Sequence, residues 1–184
     1  MAILIGVIVV FAVFGIALYN SLVRRRNSVD QAFGTIEVQL TQRYDLIPKL
    51  VETVKQYMGH ERGLLEDIVR LRSQAMNGQT TSEKVSANNE LTAALGRLNV
   101  QVENYPQLRS SDNFVHLQRS LNEVEEQLAA ARRSYNAAVT EYNNAVQTFP
   151  SSVIAGMGGF SQQQVFVAES HKRADVDMKS LFKA

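Results

Sequence analysis

Residues Met1 to Leu18 read MAILIGVIVVFAVFGIAL, a run without a charged or strongly polar side chain. Carried through Tyr19 and Asn20 to Val23, it gives ~23 residues, or roughly 34 Å of helix at 1.5 Å per residue. A bilayer core is about 30 Å thick, so this length crosses it with modest tilt. A cleaved signal peptide would carry basic residues ahead of the run and a small-residue cleavage site, and this segment has neither. A buried core helix fits poorly with so long a run at a terminus. The run therefore predicts a membrane anchor over residues 1–23.

Arg24, Arg25 and Arg26 follow at once, and no basic side chain precedes them. By the positive-inside rule the bulk of the chain is expected in the cytoplasm of a bacterium, anchored once in the plasma (inner) membrane, with the N-terminus outside. An extracytoplasmic domain is the alternative. The triplet serves equally as a stop-transfer flank or as a grip on anionic headgroups, worth about 1 kcal/mol per residue. Tyr19 stands where interfacial aromatic rings usually stand.

Past the anchor, helix formers dominate, with 3 prolines, no tryptophan and no cysteine. That points to an all-α fold. Without cysteine there is no disulfide framework, no cysteine-linked lipid and no thiolate metal site. A formal net charge of +1, with acids and bases interleaved, gives no field to attract nucleic acid.

Apolar residues then recur at helical spacing. Val29, Phe33, Ile36, Leu40 and Tyr44 form one stripe. At Asp45 and Pro48 either the helix kinks or a new one begins, with Asp45 as its N-cap and Pro48 in its first turn. Ile47, Leu50, Val51, Val54, Met58, Leu64, Leu65, Ile68, Leu71 and Ala75 continue in phase, weakened locally by Gly59 and Gly63. Asn77-Gly78 ends that helix through residues that tolerate the left-handed conformation. Thr80 with Glu83 reads as a capping box opening the next helix, which carries Val85, Leu91, Leu95, Leu98 and Val102 to a stop at Tyr105-Pro106.

The cleanest pattern comes last. Phe114, Leu117, Leu121, Val124, Leu128, Ala131, Tyr135, Ala138, Tyr142, Ala145 and Phe149 alternate steps of three and four, as in a coiled-coil seam or the inner stripe of a long bundle helix. Short connections favour antiparallel neighbours and an elongated bundle over residues 24–149. Residues 150–184 read as a glycine-containing hinge and a tail that forms a short helix or stays partly disordered.

Candidates for chemistry fail on spacing. His60-Glu61 opens a zinc-protease motif, but Leu64 stands where the second histidine belongs. His116 and His171 are isolated. Asp45 beside Arg43 is better explained as a helix cap with a solvated neighbour than as an acid–base pair. Glu123, Glu125 and Glu126 make an acidic face, without the Glu-x-x-His partner of a di-iron site, and Arg132 and Arg133 read as outer-face charges. Gly156 to Phe160 lacks the strand, lysine and hydroxyl of a phosphate loop. Asn136 and Asn143, beside Tyr135 and Tyr142 and with Asn144 adjacent, recur one heptad apart and suit hydrogen bonding between helices that fixes their register. No cofactor, metal or catalytic set is expected.

The strings YNSLVRRRNSVDQAF, IEVQLTQRYDLIPKLVETVKQYMGHE and ENYPQLRSSDNFVHLQRSLNEVEEQLAAARRSYNAAVTEYNNAVQTFPSSVIAGMGGF resemble the LemA family, in order and spacing, from Tyr19 to Phe160. The resemblance implies an antiparallel helical bundle behind a membrane helix and no established enzymatic activity. Some members carry a cysteine just before the Tyr-Asn pair, as exported lipoproteins do; here that position is Leu18. The expected role is non-enzymatic: bundles on anchors that self-associate as a homo-oligomer in the bilayer, or else an adaptor for another membrane protein such as a protease or sensor.

Overall fold

The computed structural model describes residues 1–59 and 61–166. Six helices account for most of them: α1 (Ala2–Lys55), α2 (Arg62–Asn77), α3 (Thr81–Val102), α4 (Pro106–Arg109), α5 (Asp112–Gln147) and α6 (Ser151–Gly158). No strand occurs among the described residues. The all-α class holds.

Helix α1 is long and apolar enough at its start to cross a membrane. Ile3, Phe11 and Ile16 are 85%, 72% and 61% exposed, so this stretch finds no protein core to cover it. The chain divides into two units, Asp30–Arg133 and Met1–Val29 with Ser134–Ala184.

In the Asp30–Arg133 unit the core combines Tyr44, Ile47, Leu50, Val51, Val54 and Met58 with Leu65, Ile68 and Leu71 of α2. Leu91, Ala94 and Leu98 of α3, Leu108 of α4, and Phe114 and Leu121 of α5 complete it. Two expectations are corrected here. No helix starts at Asp45: α1 runs through Pro48 to Lys55. The interruption instead falls between Lys55 and Arg62, around Gly59. The apolar phase disguised it, because Met58 is buried even though it lies in the connection.

Thr80 and Glu83 form the capping box: Thr80 Oγ1 accepts from the Glu83 N–H at 3.2 Å, and Glu83 Oε2 accepts from the Thr80 N–H at 3.2 Å. Gly78 does close α2, but at φ −53° rather than in the left-handed region. Space is what calls for glycine there: an added Cβ would lie 3.0 Å from both the Gln74 carbonyl and the Lys84 side chain.

In the other unit Val29 packs with Val139 and Tyr142, flanked by Tyr135, Ala138, Val146 and Phe160. The heptad stripe therefore slips, since Val139 is buried where Ala138 was expected to lead. A straight helix turns every 3.6 residues and drifts ~20° per heptad from a 3.5 repeat, which moves the inner face by one position. Phe149, at the end of the stripe, is 80% exposed. The glycine-containing stretch forms α6, and Gly159 after it adopts φ +70°. Expectations for Val167 to Ala184 lie outside the described residues.

Candidate functional site

Three arrangements gather the polar residues of the described chain. The first is centred on Arg43, whose side chain is 1% exposed. It sits at a core position of α1, in step with Ile36, Leu40 and Ile47. Its Nε lies 2.7 Å from Glu125 Oε1 on α5, close in distance but not aimed along a hydrogen bond. Its Nη2 donates to Thr92 Oγ1 at 2.8 Å. Thr92 in turn donates to the Asn88 carbonyl at 2.9 Å, and Asn88 Oδ1 accepts from the Tyr44 hydroxyl at 2.9 Å. One chain of polar contacts thus ties α1, α3 and α5.

Burial pulls the Arg43 guanidinium below the ordinary arginine value, against the raising effect of the Glu125 carboxylate. Burial likewise pushes the Tyr44 phenol up, against the nearby Arg43 charge. Gln39 Oε1 and Arg132 Nε are also buried, without hydrogen-bond partners among the described residues. The cluster holds a cation against a carboxylate, and its hydrogen bonds join three helices.

In sequence Arg43 reads as a solvated neighbour of Asp45, yet Asp45 is exposed and the true partner is Glu125. The available signal is an arginine on the apolar phase of α1. Such a residue must find an acid on a facing helix.

The second arrangement corrects the expectation for Asn136 and Asn143. Both lie on α5, and both amides bond to extended backbone rather than to another helix. Asn143 Nδ2 donates to the Gln163 carbonyl at 2.8 Å and its Oδ1 accepts from the Gln163 N–H at 2.9 Å. Asn136 does the same for Phe166, at 2.9 and 2.8 Å. Tyr135 donates its hydroxyl to the Gln164 carbonyl at 3.2 Å and meets the Phe166 ring edge-on at 5.0 Å. One heptad of helix rises ~10.5 Å, and three extended residues span roughly 10 Å. That match lets the two amides grip residues 163 and 166 together. Tyr142 is 2% exposed, in the core with Val29 and Val139.

The third lies along the start of α1. Arg25 Nη1 reaches Glu141 Oε2 at 3.3 Å, a pair exposed on both sides; Arg24 and Arg26 are exposed. Tyr19 meets Phe160 edge-on, with ring centroids 5.5 Å apart. Gly158 makes room for that pair, since a Cβ there would stand 2.7 Å from the Phe160 ring and 3.3 Å from Tyr19.

Among the remaining candidates, His116, Glu123, Glu126 and Asn144 are exposed. His60 and His171 lie outside the described residues. Among the described residues no three His, Cys, Asp or Glu side chains gather as a metal would require. A shallow hollow of about 410 Å³ is lined by Gln56, Tyr57, Tyr105 and Pro106 among others, with no acid or base beyond its tyrosines.

The family model for the LemA family matches residues 32–179. Protein LemA of Metamycoplasma hominis is 26% identical over 163 residues, which cover 88% of this chain and 74% of that protein. Magnetosome protein MamQ 2 of Paramagnetospirillum magneticum is 40% identical over 73 residues, 40% of this chain and 27% of the relative. Magnetosome protein MamQ of Magnetospirillum gryphiswaldense is 37% identical over a stretch of the same length.

Proposed function

Because the chain belongs to the LemA family, we propose that it is a non-enzymatic scaffold, held in the bacterial inner membrane by residues 1–23 and working through self-assembly of its helical bundles. The observation that carries this reading is α1 itself. Its first part is apolar and largely exposed, and the same helix runs on to supply much of a core stapled by polar contacts. A protein built this way presents surfaces and a fixed position at a bilayer. Arg24, Arg25 and Arg26 support a cytoplasmic location for the bulk of the chain.

Two measurements test it. Mass determination by light scattering in mild detergent is expected to give a defined oligomer; a strict monomer at micromolar concentration overturns self-assembly. A single cysteine at exposed Ser73 on α2, in a chain with none of its own, is expected to react with an impermeant maleimide only after the inner membrane is opened. Labelling of intact spheroplasts would reverse the orientation.

A second reading, an adaptor for another membrane protein, draws on the paired amides of Asn136 and Asn143. They read the backbone of an extended segment, a contact that a partner's chain can also offer. It predicts a monomer with a stoichiometric partner on crosslinking in cells.

A further inference from the structure

Thr148 to Phe160, TFPSSVIAGMGGF, contains no charged residue. It holds α6, and α6 lies against the start of α1: Ile154 Cδ1 is 3.9 Å from where a Cβ on Gly15 would stand, and Phe160 rests on Tyr19. Ile154 and Ala155 face this contact or the interior, Ala155 being 1% exposed. The opposite side carries Val153 and Met157, 54% and 83% exposed, and Phe149, in the turn ahead of the helix, is 80% exposed. Spacing of four puts Val153 and Met157 on one stripe of the helix. Ser151 Oγ is taken up by backbone, donating to the carbonyls of Ala145 and Thr148 at 2.7 and 2.8 Å. Gly159 and Phe160 both donate their N–H groups to the Ala155 carbonyl.

We infer that α6 is a second membrane contact, an interfacial helix whose Val153 and Met157 stripe, with Phe149 of the preceding turn beside it, is seated in lipid next to the anchor. The inference rests on the anchoring proposed above, and its geometry follows from α1. Taking Val23 as the end of the span, Tyr19 lies ~6 Å and Gly15 ~12 Å inside the apolar layer, at 1.5 Å per residue. The residues packed on them share that depth. Lipid-seated interfacial helices bury an apolar face about 5–10 Å into the boundary between headgroups and acyl chains. Water would leave this stripe uncovered at the one level where hydrocarbon is at hand. Arg25 and Glu141 mark where the polar zone resumes.

The chain has no tryptophan, so one introduced indole reports alone. Full-length Met157→Trp and Val153→Trp are reconstituted, each by itself, in phosphatidylcholine vesicles whose acyl chains are brominated. Phe11→Trp marks the anchor, and Thr140→Trp marks an exposed position on α5. The inference expects emission from both α6 probes to be blue-shifted and lost to bromine as the anchor probe's emission is, with the α5 probe unaffected. Quenching of the anchor probe but of neither α6 probe overturns the lipid contact and leaves the anchor standing. No quenching of the anchor probe overturns the anchor, and the inference with it.

Discussion

Arg72 Nε donates to the Tyr44 carbonyl at 2.6 Å, and that carbonyl is the acceptor Pro48 leaves without a helical donor. Proline lacks the N–H that would bond four residues back, and its ring crowds the same carbonyl outward. Arg72, on α2, takes up the acceptor, so α1 continues where an isolated helix would break. Removing the donor leaves a partly buried carbonyl unpaired, at a cost of about 1–3 kcal/mol. Arg72→Met is expected to lower stability by that amount in the native background and by clearly less in a Pro48→Ala chain, where residue 48 supplies its own N–H. Urea unfolding of the four chains in detergent gives the coupling; equal losses in both backgrounds would rule out the link.

The same pair explains what could be read in advance. Helix periodicity, the Thr80–Glu83 box and the apolar run each depend on neighbours within a few residues, and all are present in the structure. Whether Pro48 ends a helix depends on an arginine on another helix, which no local pattern carries. Arg43 is similar: its core phase is visible in the sequence, but its partner Glu125 is set by how α1 meets α5. The heptad spacing of Asn136 and Asn143 is likewise plain. The extended segment they hold has no periodicity that would announce it.

Arg43 and Glu125 predict an asymmetry. Removing one partner from a fully buried pair costs roughly 3–5 kcal/mol because the other charge is left buried and unpaired; loss of Glu125 strands the buried Arg43, whereas loss of Arg43 strands a carboxylate that water still reaches. Glu125 keeps 39% of its side-chain exposure, so water offsets part of the loss and Glu125→Ala is expected to cost on the order of 2 kcal/mol. Arg43→Met should cost less than Glu125→Ala despite removing the more buried group. Thermal unfolding by circular dichroism decides, and the reverse ranking would mean that the ion pair itself supplies net stability.

Tyr44 predicts an alkaline limit. Its phenol is raised above the ordinary value of 10.0 by burial, so the folded state favours the neutral ring. That contribution is whole below about pH 10, the unfolded value, and is lost as pH rises through the higher folded value. Stability of the native chain should therefore fall more steeply above about pH 10 than that of Tyr44→Phe. At neutral pH the variant should be the weaker, having left Asn88 Oδ1 without the hydroxyl donor. Urea unfolding at a series of alkaline pH values makes the comparison, and parallel curves would place the alkaline loss on other tyrosines.

Asn136 and Asn143 predict how firmly the segment after α6 is held. Each amide supplies two hydrogen bonds, at about 0.5–1.5 kcal/mol net apiece, and both read backbone, so side-chain changes at Gln163 should matter little. Alanine at either asparagine releases one grip, and alanine at both leaves the segment to its aromatic contacts and the Tyr135 hydroxyl. Hydrogen exchange at the Gln163 and Phe166 amides, the two that donate to the asparagines, should accelerate roughly tenfold for each grip lost, the equivalent of ~1.4 kcal/mol. Asn143→Asp discriminates further. Its carboxylate still accepts from the Gln163 N–H but cannot donate to the carbonyl, so exchange there should fall between native and Asn143→Ala. If both amides exchange at native rates in the double alanine chain, the segment is held by its aromatic contacts, and the amide pairs follow its position rather than set it.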